Sequence, residues 1–409
     1  MPRERILALV LAGGQGGRME VLAQARAKPA LPFAGVYRLI DFSLSNLTHS
    51  HISDVWVVVQ YATHSITDVL ANGRPWDLDR THGGLMILPP QQGEGAADTG
   101  FAEGNADAIY RNRQFIREFD PDLLLVLSAD HIYKLDYNDV VATHREKEAA
   151  CTLVTTRVPK SEASNYGIVT VNRLGRVTEF QYKADDPKSD LATAEIFVYD
   201  TDSLLDTLDS LHERLDPDGA GGSTGLDDFG DHLLPELVRG GSVYAHHLDG
   251  YWKDVGRPET YFQAHMDLLA EHPGLALDDN RWPILTLGHQ RLPAKIHETA
   301  AITNSLVSPG CDVRGRVERS VLAPGVVVEE GAAVCDAIIL HDTVVAAGSA
   351  VQFAIVDADV QIGANAQVGG PPEGDVPTTE ELVLIGRGAS VQGGSSVARG
   401  ARVEPGAPA

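Results

Sequence analysis

The chain has 409 residues, 43% of them apolar and 22% charged, a composition that folds and that allows two or three domains. Asp and Glu outnumber Lys and Arg by 57 to 33, a net charge of −24 that repels polyphosphate backbones and argues against general nucleic-acid binding while still permitting a small basic pocket. Three widely spaced cysteines, Cys151, Cys311 and Cys335, with no Cys-x-x-Cys, indicate neither a disulfide framework nor a zinc knuckle.

Arg3 and Arg5 precede a short apolar run, Ile6 to Leu11, as a secretion signal would. The run instead meets a glycine loop, with no small-residue cleavage site, and no stretch reaches the roughly 18 apolar residues of a membrane span. A soluble cytoplasmic protein without a membrane partner is expected. Val55 to Val59 and Leu123 to Leu127 are further continuous apolar runs. Such runs suit strands buried on both faces of a mostly parallel sheet. Asn105 to Phe119, with Ala108, Ile109, Phe115, Ile116 and Phe119 near helical spacing, reads as a helix. This alternation predicts a doubly wound α/β domain over residues 1–272, with ligands at the carboxyl ends of its strands. Asp216 to Asp231 reads as a Gly- and Asp-rich surface loop, and residues 273–294 as an irregular linker.

From Lys295 the period changes. Ile296 and Ile302 are six residues apart, as are Val307 and Val313. Leu322, Val328 and Val334 continue the spacing, then Ile339, Val345 and Val351, then Val356, Ile362 and Val368; Ile385, Val391, Val397 and Val403 follow an insert. The repeat predicts a parallel β-helix over residues 295–409, with one short strand per hexad and three hexads per coil. Its open end coils call for packing on the first domain or on another subunit.

Gly13-Gly14-Gln15-Gly16-Gly17-Arg18 follows the first strand directly. Glycines there let backbone N–H groups approach a phosphate or a base closely. The loop is no P-loop, because no Gly-Lys-Ser/Thr closes it, and Gly-x-Gly-x-x-Gly fails at its last position. Around it stand Arg26-Ala27-Lys28-Pro29-Ala30, Tyr37 to Asn46, Gln60-Tyr61, Leu88-Pro89-Pro90-Gln91-Gln92 and Gly104-Asn105-Ala106-Asp107-Ala108. Ala129-Asp130-His131-Ile132-Tyr133, Asn165-Tyr166-Gly167-Ile168 and Tyr251-Trp252-Lys253-Asp254-Val255-Gly256 come later. In order and spacing these motifs resemble the ADP-glucose pyrophosphorylase (glucose-1-phosphate adenylyltransferase) family of sugar-1-phosphate nucleotidyltransferases.

The resemblance covers almost the whole chain. It implies a Rossmann-like (GT-A-like) nucleotidyltransferase domain followed by a left-handed parallel β-helix. It also implies Mg²⁺ as cofactor, a nucleoside triphosphate and a sugar 1-phosphate as substrates, and a homo-oligomer, tetramer or dimer. Arg18, Lys28 and Asp130 fall at its catalytic positions. Leu11, Ala12, Gly13, Gly14, Gln15, Gln91, Gly104, Asn105 and Asp107 fall at nucleotide-binding positions. Tyr166, Gly167, Tyr182, Lys183 and Glu195 fall in the sugar-phosphate site. Asp130 and Asp254 match the magnesium-holding aspartates, carboxylates being the hard ligands this cation prefers. Arg26 is a weaker phosphate candidate, with pairing to an acid as the plainer reading. His131 is not needed as a base, since a phosphate nucleophile is already ionised.

The departures from the family pattern cluster. Gly17 stands where Thr usually precedes the arginine, and Ala25 where some sugar-bisphosphate-activated members have lysine. Tyr182-Lys183-Ala184 replaces Glu-Lys-Pro, Glu195 replaces a glycine, and Asn105 stands within the Gly-Thr-Ala-Asp motif. Ala102 takes the place of an aromatic, with Phe101 adjacent. Phosphate and metal positions are kept while sugar- and base-contacting positions change. The leading expectation is conversion of ATP and glucose 1-phosphate to ADP-glucose. The alternatives are a paralogue activating a glucose-like (valienol-type) cyclitol or modified sugar 1-phosphate, with ATP or GTP, in a secondary-metabolite pathway, and a non-catalytic regulatory or structural subunit. His297 and His341 form no acyltransferase constellation in the repeats.

Overall fold

The computed structural model describes residues 4–14, 16–90, 100–216, 224–288, 290–371 and 380–409. Its first part contains strands β1 (Ile6–Ala12), β2 (Pro32–Phe33), β3 (Tyr37–Arg38), β4 (Asp54–Val59), β5 (Gly84–Leu88), β6 (Leu123–Ser128), β7 (His131–Tyr133), β8 (Cys151–Arg157), β9 (Gly167–Val171), β10 (Val177–Tyr182), β11 (Leu191–Asp200), β12 (Val243–His247) and β13 (Trp252–Asp254). Its helices are α1 (Leu39–His49), α2 (Thr63–Leu70), α3 (Asn105–Arg111), α4 (Arg113–Phe119), α5 (Tyr137–Glu146), α6 (Thr201–Leu215), α7 (Leu234–Gly240) and α8 (Pro258–Asp267).

The three apolar runs are the centre of the main sheet. β1 lies parallel between β4 and β6, and β5 pairs parallel with β4. β11 returns antiparallel to β6 and carries β8 and β9 as antiparallel neighbours. Side chains alternate across the sheet. Leu7, Leu9, Trp56, Val58, Leu124 and Val126 enter a core shared with α3, α6 and α7. Ala8, Val10, Val55, Val57, Leu123 and Leu125 enter another, shared with α1, α2 and α5. Two buried faces explain why these strands read as unbroken apolar text.

The stretch Asn105 to Phe119 is two helices, not one. Asn112 leaves helical geometry at φ −98° and ψ 4°, and its side-chain amide donates to the Ala108 carbonyl at 2.8 Å. Phe115, one of the apolar residues at helical spacing, is exposed, whereas Ile109 and Ile116 are buried. The described part of Asp216 to Asp231 is not all loop, because a π-helical turn, Phe229–Leu233, leads straight into α7.

From Lys295–Ile296 onward the chain stacks in parallel coils. One column of inward residues runs Val313, Val328, Val345, Ile362 and Val391. Another runs Ile302, Val317, Val334, Val351, Val368 and Val397. The aliphatic hexads occupy these slots and form one core. One corner takes a left-handed residue in the first four coils, at Asn304, Arg319, Asp336 and Phe353.

The stretch before the coils is pinned to the first domain. Trp282 Nε1 donates to Asn46 Oδ1 at 2.8 Å, and Arg38 donates to Thr286 Oγ1 and the Leu287 carbonyl. The two domains share a core in which Met19, Leu22, Phe33, Tyr261 and Phe262 meet Phe353, Ile355, Leu382 and Leu384. Arg26 lies against this seam. Its guanidinium donates to Asp357 Oδ1 at 2.5 Å, with side-chain exposures of only 8% and 0%. Its acid partner therefore comes from the β-helix. Among the described residues no helix is long and apolar enough to cross a membrane. All three cysteines are free.

His265 sits inside the seam and is held neutral. Ala34 N–H donates to its Nε2 at 3.1 Å, which leaves Nδ1 to donate to the Tyr261 carbonyl at 2.9 Å. Burial pushes the imidazole down to about 4 from an ordinary 6.5. Protonation would break the Ala34 bond. The stabilisation is complete above pH 6.5 and drains as pH falls toward 4, a total of about 3 kcal/mol at 1.36 kcal/mol per unit. Thermal unfolding of wild type should therefore lose more stability across this window than that of His265→Gln; parallel curves would contradict the assignment.

Candidate active site

The site gathers at the carboxyl ends of β1, β4 and β6. A cavity of about 470 Å³ opens there, lined by Leu11, Gly13, Gly14, Gly104 and Asn105 together with Gln60, Tyr61, Phe101 and Asp228. The glycines are steric requirements. A Cβ at Gly13 would lie 2.9 Å from the Gln60 amide nitrogen, and one at Gly104 would lie 2.2 Å from the Asp227 carbonyl carbon. Gln60, Tyr61 and Phe101 were not assigned to the site from sequence. The Tyr61 and Phe101 rings stack at 5.2 Å and 19°. Gln60 Oε1 is buried with no hydrogen-bond partner among the described residues. A buried amide oxygen left unpaired is costly unless a ligand supplies a donor. A flat heteroaromatic ligand would meet an aromatic pair in this cavity, with Gln60 in its wall.

Ala12 is placed differently, because its side chain enters the opposite core. Asp107 is fully buried and bonded to its own surroundings: it accepts from Glu103 N–H at 2.9 Å, Arg111 Nε at 3.0 Å and Thr224 Oγ1 at 2.7 Å. Gln15 and Gln91 lie outside the described residues.

Beside this cavity is a charged floor. Asp130 stands two residues past β6, and Ser128 Oγ donates to its Oδ1. β13 pairs antiparallel with β7, and that register sets Asp254 opposite His131. Lys28 opens the turn Lys28–Ala30 with its side chain buried. Its ammonium lies 2.5 Å from Asp130 Oδ2 and 3.7 Å from Asp254 Oδ1. Burial alone would lower the lysine, yet the two aspartates hold it above its ordinary range. Burial likewise would raise Asp130, but Lys28 and His131 hold its carboxyl well below the usual range. His131 Nδ1 meets the Ala194 carbonyl at 3.1 Å, and Nε2 lies 3.7 Å from both Asp130 and Asp254. Burial pulls this imidazole down, and the surrounding carboxylates more than restore it. His131 is thus a member of the floor that sequence reasoning set aside. Arg18 is exposed and makes no ion pair among the described residues, yet its charge reaches Lys28.

The remaining wall comes from β9, β10 and β11. The register of β11 against β8 shifts between Thr193 and Phe197. Glu195 sits in that bulge with φ +53°, a backbone region that favours glycine. Its carboxylate approaches His131 Nε2 at 3.9 Å with 49% of the side chain open. Although half of the side chain is open, the protein packed around the carboxyl raises it, aided by Asp130 and Asp254 and against the pull of His131. Tyr182 OH donates to Asp228 Oδ2 at 2.9 Å, and Lys183 Nζ donates to Tyr182 OH at 2.7 Å. Lys183 therefore folds onto the tyrosine. Tyr166 packs edge-on against Trp252 at 5.6 Å, and Gly167 admits the Phe180 ring, which a Cβ would meet at 2.9 Å.

An α/β sheet with a base-sized cavity, a glycine turn and a lysine–dicarboxylate floor at its strand ends, joined to a hexad β-helix, defines a nucleotidyltransferase. Comparisons agree with this class. The family described as Nucleotidyl transferase matches residues 7–271, and that described as GlmU-like, C-terminal hexapeptide matches residues 292–393. The chain is 42% identical over 344 residues to the glucose-1-phosphate adenylyltransferase of Clostridium perfringens, covering 84% of this chain and 86% of that protein. It is 40% identical over 408 residues to that of Thermomicrobium roseum, covering 98% and 93%, and 36% identical over 391 residues to that of Bacillus cytotoxicus, covering 94% and 99%. The chain belongs to the glucose-1-phosphate adenylyltransferase family of sugar-1-phosphate nucleotidyltransferases.

Asp130→Asn and Asp254→Asn each remove one negative charge from the floor with little change of shape. Each should lower turnover by at least about 100-fold while the chain still folds, with a lowered unfolding midpoint because buried Lys28 loses an anion. Near-normal rates in both variants at saturating Mg²⁺ would remove these residues from the chemistry.

Proposed function

We propose that the chain makes ADP-glucose and pyrophosphate from ATP and glucose 1-phosphate. The observation that carries this reading is the Lys28–Asp130–Asp254 floor beside a cavity lined by Gln60 and the stacked Tyr61–Phe101 pair. The catalytic domain is taken as residues 1–272, the linker as 273–294 and the β-helix as 295–409.

In this reading the adenine enters beside Tyr61 and Phe101, and the triphosphate follows the Gly13 and Gly14 backbone toward Arg18 and Lys28. The sugar phosphate oxygen attacks the α-phosphorus, a new P–O bond forms, and the bond to the β-phosphate oxygen breaks to release pyrophosphate. The attacking phosphate is already ionised and needs no base. The residues act by position and charge: Lys28 and Arg18 offset the converging anions, and the β7–β13 ribbon keeps the two carboxylates fixed. Asp130 and Asp254 fit Mg²⁺, since two hard oxygen ligands converge within reach of one ammonium group. Mg²⁺ supplies Lewis-acid charge on the phosphates when bound.

Two further points belong to the same reading. The chain acts in the cytoplasm. It assembles as a homo-oligomer, dimer or tetramer, which is supported by the open end of the β-helix, where Ile296 of the first coil is half-exposed and Leu292 just before it is 81% exposed. Light scattering at micromolar concentration should give a mass well above 43.8 kDa, and the monomer mass would count against assembly.

One observation favours an acceptor other than glucose 1-phosphate: the Glu195 carboxylate standing in the cleft at a glycine-like position. Pyrophosphate release with each nucleoside triphosphate and a panel of sugar and cyclitol 1-phosphates decides between them. ATP with glucose 1-phosphate should lead, and a cyclitol or GTP preference would overturn that choice. Glu195→Gly should change the acceptor ranking in kcat/KM by at least about tenfold, since one hydrogen bond to a charged group is worth about 1.5–3 kcal/mol, with ATP affinity unmoved. An unchanged ranking would place Glu195 outside acceptor recognition.

A further inference from the structure

The segment that carries Arg18 is held from two sides. Gly16 turns the chain at φ +67°, and a Cβ there would touch Ala23 and Lys28 at 3.1 and 3.4 Å. Beyond it, Met19, Val21 and Leu22 are fully buried in the core shared with Leu382 and Leu384 of the β-helix. Arg18 and Glu20 flank Met19 and stay out of that core. Glu20 adopts φ +51° and ψ −133°, a backbone conformation costly for any residue with a Cβ. It is held there from the far end of the chain. Arg402 Nε lies 2.6 Å from Glu20 Oε2, and its second terminal nitrogen lies 3.4 Å from Oε1. The guanidinium is itself fixed before it reaches across, because its other terminal nitrogen donates to the Leu382 carbonyl at 2.8 Å and the Gly400 carbonyl at 2.7 Å.

We infer that Arg402, in the last coil of the β-helix, is a positioning residue for Arg18. The fork on Glu20 fixes the backbone two residues beyond Arg18, so that the exposed guanidinium meets the triphosphate without first ordering its loop. A two-point arginine–carboxylate pair fixes orientation as well as distance. Freezing the loop in advance removes an ordering cost from the transition state. On this view the β-helix braces the loop that carries Arg18 as well as serving as a platform for assembly. The inference about catalysis rests on the nucleotidyl-transfer reading; the inference about loop order does not.

The test uses the full chain with Arg402→Met, which keeps the aliphatic stem and deletes the fork, and with Glu20→Gln, which weakens the same contact from the loop side. Amide hydrogen exchange across Met19 to Leu22 is read first and needs no activity. Exchange there should quicken by at least about tenfold in Arg402→Met, with the central strand β1 unchanged. In steady state, kcat/KM for ATP should fall by about tenfold or more, while KM for the sugar phosphate stays within about twofold. The swapped pair, Glu20→Arg with Arg402→Glu, should recover part of the loss. Unchanged exchange in both single variants would overturn the inference. So would an equal loss on both substrates with no recovery in the swap, since a merely structural contact behaves that way. If Arg402→Met fails to fold, Glu20→Gln decides by the same two readings. If wild type makes no sugar nucleotide, the functional reading falls, and the exchange comparison still decides whether Arg402 orders the loop.

Discussion

A lysine buried between two aspartates is the constraint that organises this molecule. An ammonium group out of water is tolerable only when anions meet it, and two adjacent carboxylates are tolerable only when a cation stands between them. Lys28, Asp130 and Asp254 come from a turn before α1, the end of β6 and the β13 strand, so the three are joined by fold alone. The sheet presents Asp130 just past the end of β6, and the turn Lys28–Ala30 sets Lys28 against it. The short β7–β13 ribbon, with Asp254 in register with His131, supplies the third. The charge arrangement suits substrates that carry several negative charges and displace one another at phosphorus. It also explains why His131, enclosed by Asp130, Asp254 and Glu195, is part of the floor without a proton to move.

The β-helix adds a second constraint. Its inward columns make an independent core, but one outer face continues into the core of the first domain through Phe353, Ile355, Leu382 and Leu384. Among the described residues two arginine pairs cross the seam, Arg26 to Asp357 and Arg402 to Glu20. The first is buried, and a buried ion pair is weak support for stability but a strong selector of one docking arrangement, because any other leaves both charges unpaired. Both pairs end in the stretch between β1 and α1 that also holds Arg18 and Lys28. The repeat domain thus bears directly on the phosphate-facing segment.

Much of this was legible in the sequence, for physical reasons. Strands covered on both faces leave continuous apolar text, as at Ile6 to Leu11 and Leu123 to Leu127. A β-helix stacks like on like, so Val313, Val328 and Val345 announce themselves by period. Glycines at Gly13 and Gly104 were legible because close backbone approach admits nothing larger. What stayed hidden depends on long-range partners or on single residues. Arg26 and Asp357 are 331 residues apart. The break at Asn112 rests on one side-chain bond inside an otherwise helical pattern. Arg319 and Phe353 take left-handed corners because coil stacking imposes them, with no turn residue to signal it. Asp107 sits in a family motif yet spends its oxygens on its own loop and on Arg111. Gln60, a lone polar residue after a strand, shows its character only through a buried oxygen left without a donor.

The central claim is that this floor carries nucleotidyl transfer at the α-phosphorus. The most direct measurement follows the label from [α-³²P]ATP incubated with the full chain, Mg²⁺ and glucose 1-phosphate. The account predicts that the label moves into a sugar nucleotide and that the pyrophosphate released carries none. Label that remains in ATP, or that appears only in free ADP or AMP, would contradict it.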